Sequence, residues 1–333
     1  MENVHYLSSD DVRGLARPAE FVDVVRDAYR QRGEGAPAVP RSMITGGDPS
    51  GMLTAYTAIL PDSGVMGGYM YSAGFGASDS WFVTPLFDAD SGGLKAIVDG
   101  AWMNPFKTGA VGAVAADELA RDDASTLAVF GCGPQAAGQL QATATVRDLI
   151  EVRVFSRTAH ERRDFATEFD GLLDASVISA DDPSTAIKGA DIIITATTSG
   201  SPVFDGGLVE PGTHITAMGQ YHPERREVDS ETVAISTYVP DLRARVEQDA
   251  GAFILANAEG AIDDDHIHAE LGEIVAGIHP GRTSHDEITL FDSGGTAIET
   301  VAGAQLLYER AIEEGRGSAV EWFGGNERLT GRR

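Results

Sequence analysis

The residues Gly131-Cys132-Gly133-Pro134-Gln135-Ala136 follow directly on the apolar run Leu127-Ala128-Val129-Phe130. Apolar, β-branched and aromatic residues that end in Gly-x-Gly and continue into small, helix-forming residues predict a strand, a tight turn and a helix N-terminus. Such a turn can bind a pyrophosphate. Gly131 permits the turn, Gly133 lets the backbone approach the phosphates, and Ala136 is small enough for helix to pack on strand. Pro134 and Gln135 open the helix, whose first N–H groups carry partial positive charge toward an anion. A second strand, Glu151-Val152-Arg153-Val154-Phe155, follows at a spacing that suits a dinucleotide-binding unit. At its end stand Ser156, Arg157 and Thr158, with no carboxylate before Glu161. An acid there would pair with a ribose 2′-hydroxyl, whereas Arg accommodates a 2′-phosphate. This pattern favours NADP, with NAD as the alternative.

Other chemistry-bearing residues carry less. Cys132 lies within the glycine turn without a partner for thiol chemistry and reads as a small structural residue. His266-x-His268 beside Asp263-Asp264-Asp265 lacks a third ligand at a fixed spacing, and no metal is expected. Ser199-Gly200-Ser201 lacks the flanking glycines of a hydrolase elbow.

The elements that must position the turn alternate strand and helix. Beyond the second strand come an acidic helix over about 158–170, a weak strand near 175–179, and Asp191-Ile192-Ile193-Ile194-Thr195-Ala196-Thr197. This last run reads as a buried parallel strand whose polar end, Thr195, Ala196 and Thr197, lies where α/β sheets place ligands. A strand and turn are also expected at 212–219, a further element at 232–240, and a strand ending in a small-residue turn at 288–295. Before the nucleotide domain, residues 8–32 read as helical from Ser8-Ser9-Asp10-Asp11 onward. Short strands over 42–101 are punctuated by Gly46-Gly47-Asp48-Pro49, Pro61-Asp62-Ser63-Gly64 and Asp90-Ser91-Gly92-Gly93. Asn104 to about Ala120 forms a helix rich in small residues, and Thr296–Glu314 a long amphipathic one that crosses back to the first domain. The fold class is therefore α/β: a Rossmann-type doubly wound parallel sheet plus a discontinuous, mostly antiparallel α+β substrate and dimerisation domain. The boundaries are drawn at 1–115 with 303–333 for the latter and 116–302 for the NAD(P)-binding domain.

With 333 residues the chain can bury two cores. No apolar run approaches the ~20 residues of a membrane helix, the N-terminus lacks the basic start of a signal peptide, and the single Cys132 excludes an internal disulfide. These point to a cytoplasmic protein. The 51 acidic and 25 basic residues give a formal net charge of −26, which repels nucleic acid and anionic membranes, so neither is expected as a partner. Only Lys95, Lys107 and Lys188 are lysines, and the composition suits an extreme halophile, where molar salt screens self-repulsion.

The landmarks together resemble the ornithine cyclodeaminase/μ-crystallin family, which includes the archaeal alanine dehydrogenases. They are Pro40-Arg41, Lys107-Thr108-Gly109-Ala110, Ala124-Ser125-Thr126-Leu127, the glycine turn, Gly212-Thr213-His214, Gly219, Pro223, Glu227, Asp229, Glu270 to Ile274, Gly281-Arg282 and Phe291-Asp292-Ser293-Gly294. The resemblance implies a nucleotide domain between the halves of a split substrate and dimerisation domain, a homodimer, and a small amino or imino acid as substrate. It implies that Arg41 holds the substrate carboxylate, a role a guanidinium fork suits. Lys107 stands where the family usually has Arg. Thr108, Thr195, Met218, Gly219, Arg225, Ser293 and Gly294 fall at positions implied to line the cofactor.

Two departures matter. Tyr69 replaces a substrate-binding lysine, and Tyr221 replaces the aspartate on which ornithine cyclisation relies. The implied chemistry is hydride transfer between nicotinamide and the α-carbon of an amino acid or its imine, in the manner of an imine reductase or alanine dehydrogenase. Arg41 and Lys107 would anchor the carboxylate, and Tyr221, His222 or a water would supply the proton; Tyr69 and Tyr221 read equally as aromatic wall. Two alternatives stand: ornithine cyclodeaminase, and an NADP-binding protein without turnover.

Overall fold

The computed structural model describes residues 2–46, 51–74 and 80–322. The strands in chain order are β1 (Glu2–Leu7), β2 (Ser42–Gly46), β3 (Gly51–Leu60), β4 (Val65–Ala73), β5 (Trp81–Asp88), β6 (Leu94–Asp99), β7 (Thr126–Phe130), β8 (Glu151–Phe155), β9 (Ser176–Ser179), β10 (Ile192–Thr195), β11 (His214–Ala217), β12 (Ser236–Pro240), β13 (Ile288–Asp292) and β14 (Ser318–Trp322). The chain divides into two compact units, Met1–Lys107 with Thr296–Arg333, and Thr108–Gly295. From the sequence these divisions are expected at 115/116 and 302/303.

The first unit is a seven-stranded sheet in the order β14-β1-β6-β5-β4-β3-β2. It is antiparallel except between β1 and β6. Gly64 (φ 61°) and Gly92 (φ 73°) sit in left-handed turns where the sequence placed Pro61–Gly64 and Asp90–Gly93. The turn expected at 47–49 lies outside the described residues. One sheet face is covered by the helices Pro18–Gly33 and Ala297–Glu313, which also pack on each other. Phe21, Val25 and Tyr29 from the first helix and Val301 from the second are fully buried there. Removing a ring such as Phe21 would cost about 3–5 kcal/mol. Gly67 lies under the second helix: a Cβ there would fall 2.5 Å from the Pro85 carbonyl and 3.3 Å from Val301. Leu53, Ile59, Met70, Trp81 and Val83 of the central strands are exposed.

The single helical stretch expected over 8–32 is two helices, Ser9–Val12 and Pro18–Gly33. Ser8 and Asp11 close a capping box that starts a short turn, and Gly14 at φ 75° ends it. Pro18, fixed at a helical φ, starts the second helix at its first position.

The second unit is the doubly wound sheet, in the order β12-β13-β11-β10-β7-β8-β9 with every pairing parallel. Apolar clusters cover both faces, which is why Ile192, Ile193 and Ile194 can follow one another without alternation. The order runs outward from β7 in both directions, so the switch point lies between β7 and β10. Ligands bind such sheets at the carboxyl ends of the strands on either side of that point. The element expected over 232–240 is only partly strand, because Asp229 accepts from the Thr232 N–H and caps a helix, Ser230–Ile235, ahead of β12.

Candidate functional site

The end of β7 turns through Gly131 at φ 111°, where a Cβ would lie 2.3 Å from the Ala196 carbonyl at the end of β10. Only glycine fits there. Gly133 has open space around it and is the N-cap of the helix Pro134–Thr143. No side chain caps this helix, so the N–H groups of Gln135 and Ala136 are left for an anion. Close packing holds the helix in place: a Cβ on Gly109 would fall 2.2 Å from the Gly138 carbonyl, and Gln139 donates Nε2–H to the Thr108 carbonyl at 2.9 Å.

A cleft of about 540 Å³ opens beside this turn, lined among others by Gly131, Gly133, Ser156, Arg157, Thr158 and Thr197. Its size suits a cofactor site. Arg157 is exposed and makes no ion pair or hydrogen bond among the described residues. Its neighbour Arg162 lies over the Phe155 ring at 5.8 Å and donates to the Ser156 carbonyl at 3.1 Å. Burial pushes the Cys132 thiol up to about 11, a rise that the Ser156 hydroxyl only partly offsets. The thiol therefore stays protonated at neutral pH, and a thiolate role is disfavoured.

At the carboxyl edge of the sheet the dominant group is Glu227, which the sequence reading held only as a landmark. Its carboxylate is buried and accepts four hydrogen bonds: from Thr195 Oγ1 at 2.9 Å, from Thr197 N and Oγ1 at 2.6 Å each, and from Gly219 N at 2.6 Å. Desolvation raises its pKa, and the donated hydrogen bonds from Thr197, Thr195 and Gly219 work against that rise. Three expected cofactor residues are thus tied together by an acid that was not among them. Gly219 cannot be larger, since a Cβ would sit 2.3 Å from the Thr197 carbonyl. Met218 is buried, and its N–H donates to the Thr195 carbonyl at 3.0 Å.

The neighbouring strand ends in Ser293 and Gly294. Ser293 donates its N–H to the Ala217 carbonyl at 2.9 Å, and its hydroxyl is buried with no partner among the described residues. Asp241 accepts from the N–H groups of Gly294 and Gly295 at 2.9 Å each. Behind the turn, buried Arg245 pairs with Asp241 at 2.5 Å, with Asp249 at 2.7 Å and with Asp292. Burial opposes the guanidinium charge, but the three carboxylates outweigh it and hold the pKa well above its ordinary value. A Cβ on Gly294 would strike that guanidinium at 2.4 Å.

Tyr221 and His222 are half-buried in the loop after Gly219, and Arg225 is exposed, its stem beside Gly200. The Glu224 N–H donates to His222 Nδ1 at 3.1 Å. A histidine whose Nδ1 accepts carries its proton on Nε2 when neutral.

The remaining expected residues lie in the first unit. Arg41 is buried with its guanidinium 5.3 Å from the Tyr56 ring centre. Lys107 is buried, with Nζ 5.1 Å over the Tyr69 ring and 3.3 Å from Glu299 Oε1. Tyr69 stacks on Phe82 at 5.4 Å and meets Tyr56 and Tyr71 at 5.6 Å each. Burial pushes the Tyr56 and Tyr69 phenols well above their ordinary range, so both are neutral at any working pH and unsuited to act as bases. The side chain at position 69 therefore serves as an aromatic floor under the Lys107 ammonium.

Residues set aside on sequence grounds have local partners. Ser199 Oγ donates to the Ser201 carbonyl, while His266 and His268 each bond a backbone carbonyl through Nε2. Among the described residues no group of three or more His, Cys, Asp and Glu could hold a metal ion, and no helix is long and apolar enough to cross a membrane.

The second unit thus fits a dinucleotide on three observations: a glycine turn closed to larger residues, uncapped N–H groups at a helix start, and an orphaned buried hydroxyl at the sheet edge. Comparison with known proteins agrees. The sequence profile of the ornithine cyclodeaminase/mu-crystallin family matches residues 5–315. A Delta(1)-pyrroline-2-carboxylate reductase of Bacillus cereus is 34% identical over 241 residues, covering 72% of this chain and 74% of that protein. Among solved structures, the Thermococcus litoralis Delta(1)-pyrroline-2-carboxylate reductase in complex with NADH and L-proline superposes with a TM-score of 0.91 at 34% identity, over 95% of this chain and 100% of that one. An archaeal alanine dehydrogenase dimer with bound NAD superposes with a TM-score of 0.89 at 30% identity, over 97% and 100%.

Proposed function

Because the chain belongs to the ornithine cyclodeaminase/mu-crystallin family, we propose that it is an NAD(P)-dependent oxidoreductase acting on the C–N bond of an amino acid or its imine, with a cyclic imine bearing an α-carboxylate as its preferred substrate. The single observation that carries the substrate class is the set of side chains around two buried cations. Arg41 and Lys107 are buried among Tyr56, Tyr69, Tyr71 and Phe82, and the carboxylate that touches Lys107 is Glu299. Such walls suit a carboxylate on an apolar ring. Tyr69 and Tyr221 stand where the family's substrate-binding lysine and cyclising aspartate would be, so ornithine is disfavoured.

The residues at the sheet edge would hold the dinucleotide: Gly131, Gly133, Gln135 and Ala136 at the pyrophosphate, Ser156, Arg157 and Thr158 at the adenosine ribose, and Thr195, Met218, Gly219 and Ser293 toward the nicotinamide. When bound, the nicotinamide supplies or accepts the hydride. Arg41 orients the substrate by gripping its carboxylate bidentately. Lys107 adds a second positive charge but, as an ammonium, no fork. Tyr221, His222 or a bound water would supply the proton to the imine nitrogen. In the direction of reduction one imine takes up a hydride at carbon and a proton at nitrogen and becomes the cyclic amino acid.

The finer assignments follow from charge and surface. Arg157, unpaired and exposed beside Ser156, supports NADP over NAD. The exposed residues Leu53, Ile59, Met70, Trp81 and Val83 support a homodimer through the open sheet face. The acid excess and the scarcity of lysine support a halophilic, cytoplasmic setting. The test is a panel of pyrroline-2-carboxylate, piperideine-2-carboxylate, pyruvate with ammonia, and ornithine, each followed at the nicotinamide absorbance with both cofactors in molar salt. Consumption of the cyclic imines is the expected result. Turnover of pyruvate with ammonia alone would shift the assignment to an alanine dehydrogenase. Ammonia release from ornithine without net change in cofactor would favour cyclodeamination, and cofactor binding without any turnover would make this a binding protein.

A further inference from the structure

We propose that Glu299 is the positioning residue for Lys107: a buried counter-ion, built into a helix cap, that keeps the ammonium charged and in place. The proposal rests on the preceding reading for its functional meaning, though the ion pair can be tested without it.

Glu299 occupies the third position of the helix Ala297–Glu313 and completes a capping box with Thr296. Its Oε1 accepts from Thr296 N at 2.7 Å and from Lys107 Nζ at 3.3 Å. Its Oε2 accepts from Thr296 Oγ1 at 2.5 Å and from Tyr29 OH at 3.3 Å. A capping box needs an acid or an amide at this position, and most such residues face water. The Glu299 side chain is 0% exposed and that of Lys107 3% exposed, so neither can exchange its partner for solvent. An isolated charge in that setting is costly, and each group makes the other tolerable.

The lysine is confined from other sides as well. Gly303, one turn along the same helix, leaves room for its stem: a Cβ there would lie 3.4 Å from Lys107 Cβ and 3.4 Å from Met103 Sδ. The Tyr69 ring underlies the ammonium at 5.1 Å. Charged and titratable groups near the pair include Tyr29, which donates to Glu299, and Tyr69 under Lys107, with Arg41, Tyr56, Tyr71 and Asp99 acting on those tyrosines or their neighbours. The Tyr56 and Tyr69 phenols are neutral, and Glu299 is an anion in direct contact with Lys107.

The discriminating variant is E299Q, because glutamine can also close the capping box while removing the charge. The chain has three lysines, so their ε-carbon signals can be followed individually by NMR, with K107M identifying the one of interest. In E299Q the Lys107 titration midpoint should fall by at least one pH unit, since burial then acts on the ammonium without its partner. The alkaline limb of kcat/KM for the cyclic imine should move down by the same interval, with cofactor affinity unchanged within twofold. Should E299Q fold poorly, the double variant K107M/E299Q decides: removal of both charges should restore thermal stability relative to either single variant, whereas additive losses would overturn the pairing. An unchanged Lys107 midpoint in E299Q would also overturn it, as would a shifted midpoint with an unmoved kinetic profile. A wild-type chain that turns over no imine would defeat the preceding reading and leave the NMR comparison to judge this one.

Discussion

Glu227 Oε2 accepts the Gly219 N–H at 2.6 Å while Oε1 accepts the Thr197 N–H at the same distance, so one carboxylate joins the ends of β10 and β11. Replacing it by Ala would leave two half-buried N–H groups and two threonine hydroxyls without this acceptor. The expected loss is about 3–5 kcal/mol of stability, with cofactor affinity reduced at least tenfold. E227Q keeps one acceptor oxygen and should lose less. Urea unfolding with and without dinucleotide measures both effects. The pH dependence has a definite sign. A carboxyl whose pKa is raised by folding binds more protons in the folded state, so its contribution falls as pH rises from its unfolded value of 4.5 through its folded value. In E227Q that slope should disappear.

His214 gives the opposite dependence. Burial, followed by the nearby Arg282 and Arg147, lowers its pKa to about 3, and its ring bonds Thr289 and Thr216 within the sheet. The unfolded chain binds the proton below about 6.5 and the folded chain only near 3, so stability is lost as pH falls across that window. For a fully buried group the loss at pH 5 relative to pH 7 is about 2 kcal/mol. In H214Q unfolding free energies at the two pH values should converge by that amount.

Arg157 is exposed at the end of β8, beside Ser156. R157A should weaken NADPH binding at least tenfold and leave NADH binding within twofold. Fluorescence titration of the reduced cofactors in molar salt reads both. An equal loss for the two would remove Arg157 from cofactor choice.

Arg245 pairs with three buried aspartates at the turn carrying Ser293 and Gly294. R245M should cost about 3–5 kcal/mol, because carboxylates left buried without a cation are heavily penalised. Desolvation already raises the Asp292 pKa despite Arg245. R245M should therefore recover part of its stability at acid pH, where Asp292 protonates more readily, and thermal melts at pH 5 and 7 would show it.

Local chemistry was legible in the sequence by itself. Gly131 must take a backbone conformation closed to other residues, and β7 ends in an abrupt change from apolar to small residues. These are properties of a few adjacent residues, and the dinucleotide turn and the alternation of strand and helix can be read from them; the roles of Arg41 and Lys107 rest on the family resemblance. What the tertiary structure alone decided is which of 51 acids matter. Glu227, Glu299 and the aspartates around Arg245 resemble every other acid on a surface of high negative charge. They are set apart by burial and by partners that folding brings to them, across 192 residues in the case of Lys107 and Glu299 and 47 in that of Arg245 and Asp292. A carboxylate becomes a structural counter-ion only when folding removes its water and brings a donor to it, and no local pattern records that event.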